Sequence, residues 1–296
     1  MVGVLRSFLI DFIDIGSMDI GIVGLGLIGG SLGFDFRAAG HHVIGVSRQQ
    51  ATCETAIALG TVDQAGADFS LLNSAEVVFL CTPLGVMQQT TQVLIPYLLP
   101  TAILTDVGSV KASVVETLEP LWTRFVGGHP MAGKETAGIA SAQPGLFIDR
   151  PYVLTPTAQT DTAAIATLAT LIQTLQSRYY ECSPAQHDRA VAQISHLPVM
   201  VSASLIGACQ QKSDPATLAL AQALASSGFR DTSRVGGGNP ELGRMMAQYN
   251  REELLRSLYQ YRQALDQFTT FIEQNRWEEL EQALTQTQQA RTKFVR

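Results

Sequence analysis

The sequence predicts an α/β fold: a doubly wound, parallel-sheet domain over residues 18–182 and an all-helical domain over residues 183–296. Three observations predict it. A glycine-rich turn sits between a short apolar strand and a helix near the start of the chain. Short buried strands then alternate with helices as far as Cys182. From Pro184 onward the apolar spacing becomes helical and stays so.

The bulk properties narrow the function. A length of 296 residues suits about two domains. With 46% hydrophobic and 16% charged residues, the chain can build a sizeable core. A net charge of -6 with no Lys/Arg cluster argues against a nucleic-acid partner. No run of about 18 apolar residues is found, so no membrane-spanning helix is expected. The cysteines at 53, 81, 182 and 209 are far apart and form no C-x-x-C. Buried free thiols in a reducing cytoplasm, and no metal site, are therefore expected. Residues 1–17 are apolar, but Arg6, Asp11 and Asp14 interrupt them and no small-residue cleavage site follows, so they do not read as a signal peptide. Met18 lies just before the first strand, and the residues ahead of it are expected to be dispensable.

The first strand carries Ile20, Ile22 and Val23. Gly24, Gly26 and Gly29 then give G-x-G-x-x-G, and a helix runs from Leu27 and Ile28 to Ala39, with Gly40 as its stop. The first glycine makes the tight turn. The second lets the backbone approach a pyrophosphate, and the third lets helix and strand pack closely. The helix N-terminus offers free N–H groups to the anion. In this strand–turn–helix context the motif reads as a Rossmann-type dinucleotide site.

Residues 42–47 form the second strand, whose end normally carries an acid for the ribose hydroxyls of NAD. Here the end reads Ser47, Arg48, Gln49. A carboxylate would repel a 2′-phosphate, whereas Ser and the planar donors of Arg48 accept one, so NADP is the expected cofactor. Residues 51–59 are helical and Gly60 ends them. Residues 75–81 form a buried strand that stops at Thr82 and Pro83, at the sheet edge where the nicotinamide lies, before a helix over about 86–98.

Another strand covers residues 102–106. Ser109 and Lys111 follow near a helix start, and Ser109 reads equally as an N-cap or as a site residue. The strand over 124–128 runs into His129, which is held by Pro130 and followed by a glycine turn. Histidine titrates near neutrality, as a general base must, although a histidine satisfying loop backbone would read the same. Residues 152–155, a helix over 162–176 and residues 178–182 complete the domain.

In the helical part a long helix over 185–209 carries His187, His196 and Pro198, and the proline should kink it. A second helix covers 218–226. Residues 228–240 read as a loop with Arg230, Asp231 and Arg234, and Gly236 to Pro240 as a flexible joint. Leu254, Leu255, Leu258, Tyr261, Leu265, Phe268 and Ile272 keep helical spacing and read as core.

Five motifs occur in order: the glycine turn, D-V-G-S-V-K from Asp106 to Lys111, H-P-M-A-G from His129, I-S-H-L-P from Ile194, and G-F-R-D-T-S-R from Gly228 to Arg234. Together they resemble the prephenate/arogenate dehydrogenases of tyrosine biosynthesis, most closely the cyanobacterial arogenate-using members. The resemblance implies oxidation and decarboxylation of a cyclohexadienol, with His129 as catalytic base and Ser109 beside it. It also implies substrate-carboxylate binding by Arg234, with His196, Asp231 and Glu135 around the substrate. It makes the helical domain a dimerisation domain, and the protein a cytoplasmic homodimer.

Prephenate-using members often read H-L-P-H, and many carry an aromatic residue a few positions after the counterpart of Pro240. This sequence reads His196-Leu-Pro-Val199 and has Gly243 and Arg244. Both departures favour arogenate, with prephenate as the alternative. A 3-hydroxyacid dehydrogenase would be expected to use a lysine in the helical domain, where Lys212 is the only lysine in the middle and no motif surrounds it. A non-catalytic NADP sensor would leave His129, Ser109 and Arg234 unexplained.

Overall fold

The computed structural model describes residues 15–210 and 214–295. The expectations placed on residues 1–14 and on Lys212 fall outside the described residues. Of the segment before Met18, Ile15 packs against the sheet domain's core and Ser17 Oγ donates to Gly40 O at 2.8 Å.

Eight strands form one sheet: β1 Asp19–Val23, β2 His42–Val46, β3 Gln64–Gly66, β4 Val77–Leu80, β5 Ile103–Asp106, β6 Phe125–Pro130, β7 Pro151–Thr155 and β8 Arg178–Glu181. Their order is β3-β2-β1-β4-β5-β6-β7-β8. The first six pair in parallel, whereas β7 runs antiparallel to β6 and parallel to β8. The chain reverses its direction of growth between β1 and β4, which opens a crevice beyond their carboxyl ends.

The strands read as unbroken apolar runs because both sheet faces are covered. Ile20, Ile22, Val77 and Phe79 enter one core cluster with Phe36, while Val23, Val78 and Leu80 enter the other with Met87 and Leu104. The covering helices are α1 Leu27–Ala38, α2 Gln50–Leu59, α3 Leu84–Leu94, α4 Ala112–Leu118 and α5 Thr162–Thr174. Gly60 ends α2 in the left-handed conformation (φ 75°), where glycine carries no Cβ penalty.

The helical part consists of α6 Pro184–Val191, α7 Leu197–Gln210, α8 Pro215–Leu224, α9 Ser227–Ser233, α10 Pro240–Tyr249, α11 Arg251–Glu273 and α12 Trp277–Arg291. A capping box between Ser183 and Gln186 starts α6. The break expected from Pro198 is a π-helical turn over Ala192–His196. Proline has no N–H for the carbonyl four residues back, and a widened turn accommodates the loss.

Three expectations are corrected. Residues 228–240 are not a loop: α9 holds Arg230 and Asp231, and a 3₁₀ turn, Arg234–Gly237, holds Arg234. Gly236 is not a flexible joint, because a Cβ there would lie 2.3 Å from Ala203 N, and its N–H donates to Ser202 Oγ at 3.0 Å. The apolar positions of α11 are only partly core. Leu254 is buried, but Leu265 is 50% and Ile272 54% exposed in the protomer. One further difference concerns length. Taken as one helical stretch, Pro184–Gln210 is long and apolar enough to cross a membrane by length and composition alone. It contains no unbroken apolar run, because polar residues are interspersed. Two of those, His187 and His196, turn into the site described next.

Candidate active site

The glycine turn at the β1/β4 crevice has the three roles its spacing implies. Gly24 has φ +103°, and a Cβ there would meet Cys81 O at 2.7 Å. A Cβ on Gly29 would lie 2.2 Å from Gly24 O, so helix and turn pack backbone to backbone. A Cβ on Gly26 would meet nothing within 4 Å, so the space above it is open. Gly26 is the N-cap of α1 with no side-chain cap, and Leu27 and Ile28 form a first turn without acids. Across the crevice the Thr82 hydroxyl is buried with no partner among the described residues, and Pro83 occupies the N-cap position of α3. This open, uncapped helix end beside an orphaned hydroxyl fits a dinucleotide.

Beyond β2, Ser47 N–H bonds Gly66 O at 3.1 Å, and Gln49 occupies the N-cap position of α2 without a side-chain bond to it. Arg48 is exposed and makes no ion pair among the described residues.

His129 ends the same sheet edge within β6, where its ring is 8% exposed. Its Nδ1 lies 2.8 Å from His187 Nε2, and His187 Nδ1 lies 2.8 Å from Asp188 Oδ1. Asp188 Oδ1 also accepts the N–H of Lys111 at 2.7 Å, and Oδ2 that of Ala112 at 2.8 Å. The helix start near Ser109 is therefore capped by Asp188 of α6, and the N-cap reading of Ser109 falls away. The Lys111 side chain turns under the site, where its Nζ bonds Gly128 O at 2.7 Å and forms a fully buried ion pair with Asp106. Asp106 Oδ2 and Oδ1 in turn hold the N–H groups of Gly108 and Gly128, at 2.7 and 3.1 Å.

His196, fully buried, places Nδ1 3.1 Å from Asn250 Nδ2, which also bonds Asp188 O at 2.8 Å. His196 Nε2 has no hydrogen-bond partner among the described residues. Burial holds all three histidines below their ordinary pKa. His129 lies well below it, with the positive ends of His187, Lys111 and His196 adding to the effect. Burial also lowers His187, against its bond to Asp188, and takes His196 down to about 4. The site thus holds neutral imidazoles near neutral pH.

The other expected site residues are less tightly joined. Arg234 Nη1 lies 3.5 Å from Glu135 Oε1, with both side chains largely exposed. Asp231 pairs with Arg230 rather than Arg234, at 3.4 Å. Ser202 fixes the arginine's turn: its hydroxyl donates to Thr232 O at 2.7 Å and accepts the N–H of Gly236. Ser109 lies on the turn between β5 and α4 with its backbone against His196, and its hydroxyl makes no described bond to His129.

Sequence reasoning missed Asp188 and Asn250 and gave His187 no role. Adjacent His and Asp on a helix form no recognised spacing, and Asn250 reads as an ordinary helix junction. The Asp106–Lys111 pair was visible only as a motif. Chemically, the site offers a buried proton acceptor, a buried imidazole with a free edge, and a guanidinium outside, beside a dinucleotide-shaped helix end.

Comparison with known proteins gives consistent matches. Residues 32–181 match the family model of the prephenate dehydrogenase nucleotide-binding domain, and residues 183–286 that of the prephenate dehydrogenase dimerization domain. The crystal structure of Synechocystis arogenate dehydrogenase is 56% identical, with a TM-score of 0.85, over 94% of this chain and 100% of that one. Prephenate dehydrogenase from A. aeolicus, in complex with hydroxyphenyl propionate and NAD+, is 27% identical with a TM-score of 0.89, over 95% and 99%. Prephenate dehydrogenase of Bacillus subtilis is 32% identical, over 88% of this chain and 71% of its own length.

Proposed function

This chain belongs to the prephenate dehydrogenase family, and from that premise we propose that it oxidises and decarboxylates arogenate to tyrosine with NADP as hydride acceptor. The observation that carries the reading is His129: a buried, neutral imidazole at the carboxyl edge of the sheet, held through Nδ1 so that Nε2 is left for substrate.

His129 Nε2 takes the proton of the substrate's ring hydroxyl, which lets hydride leave the same carbon. NADP, when bound, accepts that hydride. Loss of the opposite ring carboxylate as CO2 returns its electron pair to the ring, which becomes aromatic. The proton on His129 goes back to the phenolic oxygen. Ser109 hydrogen-bonds at that hydroxyl in this reading, as its counterpart in the family motif does. Arg234, which exchanges Glu135 for substrate, holds a carboxylate. Asp231 and Glu135 frame the mouth, and His196 offers its free edge to the ring substituents.

Gly24, Gly26, Leu27, Ile28, Gly29, Thr82 and Pro83 form the cofactor cradle. Ser47, Arg48 and Gln49 would take the 2′-phosphate, since no acid stands at the end of β2 and Arg48 makes no ion pair among the described residues. The similarity to the Synechocystis enzyme and Val199 in place of a second histidine support arogenate over prephenate. The dimerisation-domain match supports a homodimer, and cysteines that form no disulfide among the described residues suit the cytoplasm.

Two variants test the assignment. His129→Ala should lower kcat by roughly 10²–10⁴-fold, the range for a positioned acid–base group, while NADP still binds. Arg48→Ala should weaken NADP far more than NAD. Unchanged turnover in the first, or equal weakening in the second, removes the corresponding role.

A further inference from the structure

We infer that Asp188 and Asn250 are positioning residues that lock the site's histidines into opposite tautomers, so that His129 presents a proton acceptor to substrate and His196 presents a donor. The inference rests on the base role of His129 proposed above.

The tautomers follow from which atoms can donate. Both Asp188 carboxyl oxygens accept backbone N–H groups, Oδ1 from Lys111 and Oδ2 from Ala112. The oxygen facing His187 Nδ1 at 2.8 Å is therefore an acceptor, so the His187 proton sits on Nδ1. His187 Nε2 is then a lone pair, and the atom 2.8 Å from it, His129 Nδ1, must carry a proton. Neutral His129 therefore has its lone pair at Nε2, the only ring nitrogen left for substrate.

The second histidine is fixed the other way. The Asp188 backbone carbonyl can only accept, so the Asn250 side-chain atom facing it at 2.8 Å is the amide nitrogen. The same nitrogen faces His196 Nδ1 at 3.1 Å, which must then be the lone pair. The His196 proton lies on Nε2, which makes no well-formed hydrogen bond among the described residues, with the Ser109 backbone beside the ring. A buried donor so weakly held is one a substrate oxygen can take up.

One residue thus governs both polarities, through its carboxylate on one side and its carbonyl on the other. The same carboxylate caps α4, so the helix that starts beside the cofactor crevice and the catalytic ring share one anchor.

Protein labelled with ¹⁵N-histidine reports the tautomers through long-range ¹H–¹⁵N correlations. The expected wild-type spectrum has His129 protonated on Nδ1 and His196 on Nε2. In His187→Phe the His129 signal should become a mixture of tautomers, with kcat down on the order of 10²-fold and NADP affinity unchanged. His187→Gln keeps an acceptor for His129 Nδ1–H and should recover most of both. Asn250→Leu should mix the His196 tautomers and raise the substrate KM more than it lowers kcat. A wild-type His129 protonated on Nε2, or a His187→Phe enzyme with wild-type spectrum and kcat, overturns the inference. The base reading is judged separately: undiminished turnover in His129→Asn removes it and leaves the tautomer spectrum standing.

Discussion

The carboxylate of Asp188, on α6, accepts the N–H of Ala112 at 2.8 Å and so caps α4, a helix of the sheet domain, from outside that domain. Asp161 is an N-cap of the ordinary kind, accepting the N–H of Ala163 at 2.9 Å at the start of its own helix. Each change to Ala should cost about 0.5–2 kcal/mol of stability, the usual loss for a cap, with a further loss at Asp188 from its other bonds. Only Asp188→Ala should also lower kcat. Urea denaturation and steady-state kinetics on the two variants separate the two effects.

The glycine turn gives a contrast at neighbouring positions. Gly29→Ala forces a Cβ to 2.2 Å from Gly24 O, so the turn must deform, and it should lower Tm and solubility. Gly26→Ala meets only open space, so Tm should hold while dinucleotide affinity falls at least tenfold, because the new methyl occupies the approach to the helix end. Thermal denaturation with nucleotide titration distinguishes them. Equal stability losses would show that Gly26 serves packing alone.

Three buried histidines set an acid limit on stability. His129, His187 and His196 have folded-state pKa values below the unfolded 6.5. Below pH 6.5 the unfolded chain takes up protons that the folded chain refuses, so unfolding becomes easier as pH falls. Their contribution is complete above about pH 6.5 and is lost toward the folded pKa, which for His196 is about 4. The slope should approach ~1.4 kcal/mol per pH unit for each histidine. Replacing His196 with Gln should flatten the pH dependence of the urea midpoint between pH 6.5 and 4.

The outward face of α11 carries Leu265 and Ile272, each about half exposed, with Trp277 beside it at 55%. Apolar surface of this kind in a domain matched as a dimerisation domain belongs against another copy. Leu265→Glu with Ile272→Glu should convert the dimer to monomer in sedimentation velocity, with the secondary structure unchanged. A persistent dimer would place the interface on another face.

Much of this was legible in the sequence because short-range physics decides it. The strands carry apolar residues on both faces, and the three glycines have roles fixed by spacing and φ. His129 stood out through Pro130 and its strand. What could not be read lies in pairings across long stretches of chain. Asp188 reaches Lys111 and Ala112 some 77 residues away, and Asn250 reaches His196 across 54. No local pattern records such contacts. The helix carrying Asp231 was read as loop because Gly228 and the glycines after Arg234 suggested turns. The close approach of Gly236 to α7 is what those glycines serve. The exposed face of α11 looked like core because spacing reveals an apolar face but not what covers it.

The most direct measurement is NADPH formation with arogenate and with prephenate, each repeated with NAD, for the wild type and for His129→Asn. Turnover is expected with arogenate and NADP, with little from prephenate or NAD, and kcat should collapse in His129→Asn with NADP still bound. Turnover that survives in His129→Asn would contradict the central claim that this buried imidazole takes the substrate proton.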